Sequence, residues 1–122
     1  LDVAEAKLRR VIELRPDSAH AYNALGYTLA DRGIRLDEAQ ALIVRAVELA
    51  PDDPFIMDSM GWVLYRLGDL EGALRQLQKA YSIRADAEIG AHLGEVLWML
   101  DRRDEARKVW QEADRRFPGN DV

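Results

Sequence analysis

The run Leu1-Asp2-Val3-Ala4-Glu5-Ala6, closing on Leu14-Arg15-Pro16, is written again thirty-five residues later. It returns as Leu36-Asp37-Glu38-Ala39-Gln40-Ala41, closing on Leu49-Ala50-Pro51. An internal period of this length is the signature of a solenoid. Each unit is one supersecondary element that cannot bury its apolar face alone and must stack on its neighbours. Function is therefore expected on a surface that spans several repeats, not in a single deep pocket.

Three columns of residues stay in step. Small residues align as Ala4, Ala39, Ala73 and Ala106, at spacings of 35, 34 and 33. A second column holds Gly26, Gly61 and Gly94, and a third holds Pro16, Pro51, Ala85 and Pro118. Within each unit the apolar spacing has a helical period. Tyr22, Leu25 and Leu29 fall at i, i+3 and i+7, as do Met57, Met60 and Leu64, so helices are expected over 19–31 and its counterparts. Ser18, Asp53-Pro54 and Asp86 suit the starts of these helices A. Gly33 and Gly68 suit their ends as left-handed residues, and Asp101 stands where a third glycine is expected and tolerates that conformation less well. A second helix B follows over 37–50, 70–83 and 104–117. Leu42, Ala46 and Leu49, then Leu77, Ala80 and Ile83, then Trp110, Ala113 and Phe117 are placed near its buried face. Residues 1–15 match helix B alone. The expected fold is all-α, with seven antiparallel helices.

Composition narrows what such an array can do. A net charge of −5 argues against a nucleic-acid partner, because phosphate binders carry a basic stripe. No apolar stretch reaches the roughly 20 residues of a membrane-spanning helix, so no direct membrane insertion is expected. With zero cysteines there are no disulfides and no thiolate metal sites, which leaves the compartment open. Leu1 opens in mid-pattern, so the sequence reads as a piece of a longer protein with any targeting signal upstream.

The repeats resemble the tetratricopeptide family. The residues that carry the likeness are Tyr22, Leu25-Gly26, Leu29, Ala39, Ile43, Ala46 and Pro51, then Met57, Met60-Gly61, Leu64, Ala73, Leu77 and Ala80, then Leu93-Gly94, Leu97, Ala106, Trp110, Ala113 and Pro118. The resemblance implies a tetratricopeptide-type α-solenoid with a right-handed superhelix. It divides the array into an orphan helix B over 1–18 and repeats over 19–53, 54–86 and 87–120. Three departures are local: the extra residue in Gly33-Ile34-Arg35-Leu36, Ala85 in place of proline, and a shorter turn before the last helix A. Gly26 and Ala39 are expected where helices A and B of one unit cross closely, and Ala46 and Ala80 where helix B meets the next unit.

In that family the helices A line the concave face, where extended peptides or partner helices bind. The resemblance thus implies a partner-binding groove built from Asn23, Tyr27, Asp58, Trp62, Tyr65, Arg66, His92, Glu95 and Trp98, with His20, Asp31, Phe55, Ser59, Glu88 and Met99 on the same helices. Tryptophan away from a core stripe has the profile of an interface anchor, a large apolar body with one donor. The opposing reading packs Trp62 and Trp98 against neighbouring helices for stability, and Trp110 is read as structural. Arg66 beside Asp58 and Tyr65 could hold a partner carboxylate. Lysines are absent from helices A and Asn23 is their lone asparagine, so the carboxylate clamp of chaperone-tail binders is not reproduced. His20 and His92 lie two units apart, and no metal site, cofactor site or catalytic set is expected from them. The arginine pairs Arg9-Arg10, Arg102-Arg103 and Arg115-Arg116 read as solvated faces.

The expected function is non-catalytic binding of a protein or peptide. The phrases Ala24-Leu25-Gly26-Tyr27 and Asp58-Ser59-Met60-Gly61-Trp62 are similar to C-terminal arrays of proteobacterial cell-envelope proteins, some of them outer-membrane lipoproteins. That likeness implies an adaptor that presents substrates to a processing protease, in a periplasmic or outer-membrane-associated setting. An alternative is an oligomerisation module that self-associates through uncovered end helices, with Leu1, Leu8 and Val11 as the exposed apolar set.

Overall fold

A computed structural model describes residues 3–116. Among them are seven helices and no strand: α1 (Val3–Leu14), α2 (Ala19–Asp31), α3 (Leu36–Leu49), α4 (Pro54–Arg66), α5 (Leu70–Ile83), α6 (Ala87–Met99) and α7 (Arg103–Arg116). Phe117 and Pro118 of the last repeat, and Leu1 of the first, lie outside the described residues.

Local chemistry sets the helix ends. The Ser18 hydroxyl accepts the Ala21 N–H at 3.2 Å, the Asp53 carboxylate accepts the Phe55 and Ile56 amides, and Asp86 does the same for Glu88 and Ile89. Each satisfies amides that the first turn leaves without an intrahelical partner. At the other ends Gly33 and Gly68 take φ of 68° and 92°, and Asp101 takes their place at φ 63°. The extra residue of the first turn is absorbed by a second left-handed position, Arg35 at φ 45°. Its side chain is held by Glu5 at 2.7 Å.

Packing alternates in a fixed order. Within a unit α2 lies on α3, α4 on α5 and α6 on α7; between units α3 meets α4 and α5 meets α6, while α2, α4 and α6 touch in series. The glycine column lies where helices of one unit cross. A Cβ on Gly26 would stand 2.6 Å from Ile43 Cδ1, and one on Gly61 2.7 Å from Leu77 Cγ. At Gly94 the intruding group is the Trp110 indole, so Trp110 fills the slot of Ile43 and Leu77 although it stays 37% exposed. Ala80 packs with Met57 of its own unit and Ile89 of the next. Leu25, Leu29, Ile43, Val63, Leu77, Ile89 and Val96 are fully buried, each stabilising the array by about 1.5–3 kcal/mol.

Several positions differ from the sequence reading. Met60 and Leu64 are half-buried, whereas Ile56, Trp62 and Val63 are buried. The cause is that α4 is flanked by α2, α3, α5 and α6, so its buried arc is wider than one amphipathic stripe. Ile83 is 50% exposed at the end of α5. Arg9 is not simply solvated: it bonds Glu5 and makes a two-pronged bond to Glu38 at 2.8 and 3.1 Å, tying α1 to α3. Arg103 and Arg107 lie over the Trp98 ring.

Candidate functional site

The face shared by α2, α4 and α6 carries the chemistry. Helical spacing brings Asn23, Tyr27 and Asp31 to one side of α2; Asp58, Trp62, Tyr65 and Arg66 to α4; and Glu88, His92 and Glu95 to α6. These helices contribute residues about 35 apart in sequence, so close neighbours on this face are distant in the chain.

At its centre His92 Nδ1 lies 2.8 Å from Asp58 Oδ1, and its Nε2 lies 3.4 Å from the Tyr27 hydroxyl. With Nδ1–H donating to the carboxylate, Nε2 is left to accept from Tyr27 in the neutral imidazole. Asp58 is only 4% exposed, and a carboxylate at that depth requires such a donor. Burial works against the imidazolium. It is outweighed by the hydrogen bond to Asp58 and by the charges of Asp58, Glu88 and Glu95, so the His92 pKa stands above its ordinary value. Burial is the leading cause that raises the Tyr27 hydroxyl, followed by the charges of Glu88 and Asp31. The Tyr65 hydroxyl is raised by burial and then by Glu95.

The Trp62 indole is stacked between His92, centroids 4.1 Å apart, and Tyr65 at 4.8 Å, and its Nε1–H donates to Asp31 at 3.2 Å. It is 5% exposed. Arg66 lies over the same ring at 5.4 Å and donates to the Asp31 carbonyl at 2.8 Å. Both side chains thus have partners within the array: Trp62 is a wall between α2, α4 and α6, and Arg66 already spends donors on α2. Trp98 sits apart from this stack, against Trp110 and the arginines of α7. The structure therefore joins Tyr27, Asp58, Trp62, Tyr65, Arg66, His92 and Glu95 into one contiguous cluster, with Trp98 outside it.

Beside the His92–Asp58 pair is a cavity of about 190 Å³ lined by Asn23, Ala24, Tyr27, Phe55, Asp58, Ser59 and Glu88. The Asn23 Oδ1 is closed to solvent and has no hydrogen-bond partner. Donor atoms of Asp58, Glu88 and His92 lie within 4.8 Å of one another. Reasoning from sequence missed this trio by looking for paired histidines; the only signal was one carboxylate and one imidazole on adjacent helices A, one position apart in repeat register.

Tetratricopeptide repeat models match residues 1–54, 56–88 and 87–112, together spanning most of the sequence. The chain belongs to the tetratricopeptide repeat family. It is 52% identical over 91 residues to a TPR repeat-containing protein of Pseudomonas aeruginosa, a match covering 75% of this chain and 15% of that relative. The chain thus spans a small part of that protein's length. Its fold is shared with a crystal structure of a thermophilic TPR protein from Thermus thermophilus, at TM-score 0.85 and 21% identity, covering 96% of this chain and 66% of the other. It is also shared with MamA from Desulfovibrio magneticus, at TM-score 0.78 and 21% identity, covering 98% and 67%. This tetratricopeptide array has the architecture of a scaffold for protein–protein interaction, and such arrays are generally non-catalytic. No helix among the described residues is long and apolar enough to cross a membrane.

Proposed function

We propose that this tetratricopeptide array holds an extended polypeptide along the face of α2, α4 and α6, as one part of a larger adaptor that presents substrates to a cell-envelope protease. The observation that carries the reading is the cavity at Asn23, Asp58 and Glu88. A buried amide oxygen without a donor costs about 1–3 kcal/mol, and a bound chain that supplies N–H groups removes that cost. The surrounding residues do not repeat: Tyr27, Trp62 and Glu95 share one column, Asn23, Asp58 and Ala91 another, and Ala24, Ser59 and His92 a third. Packing demands similar residues in each unit, so chemistry that changes from unit to unit fits selection by a partner. The likeness to a TPR repeat-containing protein of Pseudomonas aeruginosa is compatible with such an array in a longer bacterial chain.

Photo-crosslinking tests this reading. A crosslinking residue at Glu95 should trap the partner from a bacterial envelope extract, whereas one at Lys79, exposed on α5, should not. Equal trapping from both positions, or from Lys79 alone, would remove the groove from consideration.

A second reading rests on α1, where Val3, Val11 and Leu14 are 68%, 38% and 65% exposed. Apolar side chains left open on one helix favour self-association. Under this reading the sedimentation-derived mass rises with concentration, and Val11→Glu with Leu14→Glu restores a monomer. A concentration-independent monomer mass for the unaltered chain eliminates it.

A further inference from the structure

The cavity between α2, α4 and α6 sets two carboxylates and an amide beside two aromatic rings, with no cation of its own among the described residues. Asn23 Oδ1 is shut from solvent without a donor, and Asp58 and Glu88 line the same space with the aromatic rings of Tyr27 and Phe55. No lysine or arginine lines it among the described residues. Arg84 approaches Phe55, its guanidinium carbon 5.7 Å from the ring centre. A volume of about 190 Å³ is well beyond the roughly 10–15 Å³ that admits a single water, and suits a side chain. We propose that this cavity is a subsite for a basic side chain of the bound polypeptide, arginine in preference to lysine. The inference rests on the groove reading above and gives it a ligand chemistry.

The preference follows from geometry and donor count. A guanidinium offers five N–H donors in a flat fork, enough to reach the two carboxylates while its plane lies against an aromatic ring, and a turn of the Asn23 side chain about its own bonds brings its amide oxygen to the remaining donor. A bare divalent ion meets the same oxygens less well, because the His92 Nδ1 that would join them is bonded to Asp58. The cation competes with a proton for the same negative charge. His92 faces Asp58 and Trp62 of α4 and Tyr27 of α2, with Glu88 and Glu95 on its own helix and Asp31 and Arg66 beyond the indole. A guanidinium beside Asp58 and Glu88 therefore lowers the affinity of His92 for its proton, and the arginine ligand binds more tightly as pH rises through the His92 titration.

The test is a titration of the isotope-labelled chain with short capped peptides, serine-flanked, that carry one central arginine, lysine, citrulline, glutamate or leucine. The arginine peptide should move the Asn23 side-chain amide signals and shift the His92 titration downward. The citrulline peptide, equal in shape but neutral, should bind at least about tenfold more weakly. Glu88→Gln, at an exposed position, should weaken the arginine peptide similarly with an unchanged melt. A silent Asn23 amide with the arginine peptide, equal binding of the citrulline peptide, or a response to zinc or magnesium ions in preference to either basic peptide would overturn the proposal. If the leucine or glutamate peptide perturbs α2, α4 and α6 while the arginine peptide does not, the basic subsite falls and the groove reading stands.

Discussion

His92 on α6 and Asp58 on α4 meet at 2.8 Å across the boundary between two repeats, with side chains 12% and 6% exposed. The pair fixes one unit against the next with a buried polar contact, at a boundary that Tyr81 also crosses by donating to Glu112. It also makes that boundary sensitive to protons. Because the folded pKa of His92 is raised above an unfolded value of about 6.5, its stabilising contribution is complete below that value. The contribution fades as pH rises through the folded pKa. Urea unfolding of the wild-type chain should show this decline as pH rises above the unfolded value, and His92→Gln should flatten it. A wild-type stability that climbs through the same range would contradict the assignment.

The glycine column is a packing requirement. In Gly61→Ala the new methyl carbon meets Leu77 Cγ at 2.7 Å and the Ala73 carbonyl at 3.3 Å, and α4 must move off α5. Overpacking of this kind costs about 1–3 kcal/mol. Ala39→Leu, at a residue with no exposed surface, should cost at least as much. Thermal melts that leave both variants at the wild-type midpoint would refute the crossing geometry.

Trp62 is a core residue with a polar edge. Trp62→Ala should destabilise by about 3–5 kcal/mol, the usual range for removing a large buried aromatic. Its effect on partner capture would then report unfolding as much as contact. Trp62→Phe keeps most of the stack and deletes the bond to Asp31, for a loss of about 0.5–1.5 kcal/mol. Denaturant unfolding separates the two; an alanine variant as stable as wild type would place the indole on the surface.

Asp101 holds a left-handed conformation that Gly33 and Gly68 adopt in the other turns. A side chain there costs roughly 1–2 kcal/mol, less for aspartate than for most residues, so Asp101→Gly should stabilise the last repeat by about 0.5–1 kcal/mol. The ion pair it gives up, to Arg103 at 3.4 Å, is exposed and contributes little. Calorimetry showing a lower midpoint for Asp101→Gly would mean that the aspartate is needed in that turn.

The architecture was legible because packing repeats. Ala39 recurs as Ala73 and Ala106, Gly26 as Gly61 and Gly94, and the capping residues Ser18, Asp53 and Asp86 stand at matching places. The site was legible only in part. Helical projection assigned Asn23, Tyr27, Asp58, His92 and Glu95 to one row, but it could not show that Asp58 is buried or that His92 reaches it. Those facts depend on how closely α4 and α6 approach. For Trp62 projection pointed to two outcomes, and the neighbouring helices chose the buried one through His92 and Tyr65. Trp98 shares its helix with His92, yet α7 draws it into contact with Trp110 and Arg103.

The central claim is that partners bind the face of α2, α4 and α6, and charge reversal measured against a trapped partner tests it most directly. Glu88→Lys and Glu95→Lys change exposed residues of α6, while Glu48→Lys and Lys79→Glu change exposed residues of α3 and α5. Calorimetric titration of each folded variant should show the first pair losing affinity at least about tenfold, a change of 1.4 kcal/mol, with the second pair close to wild type. Equal affinities across all four, or losses confined to α3 and α5, would contradict the account.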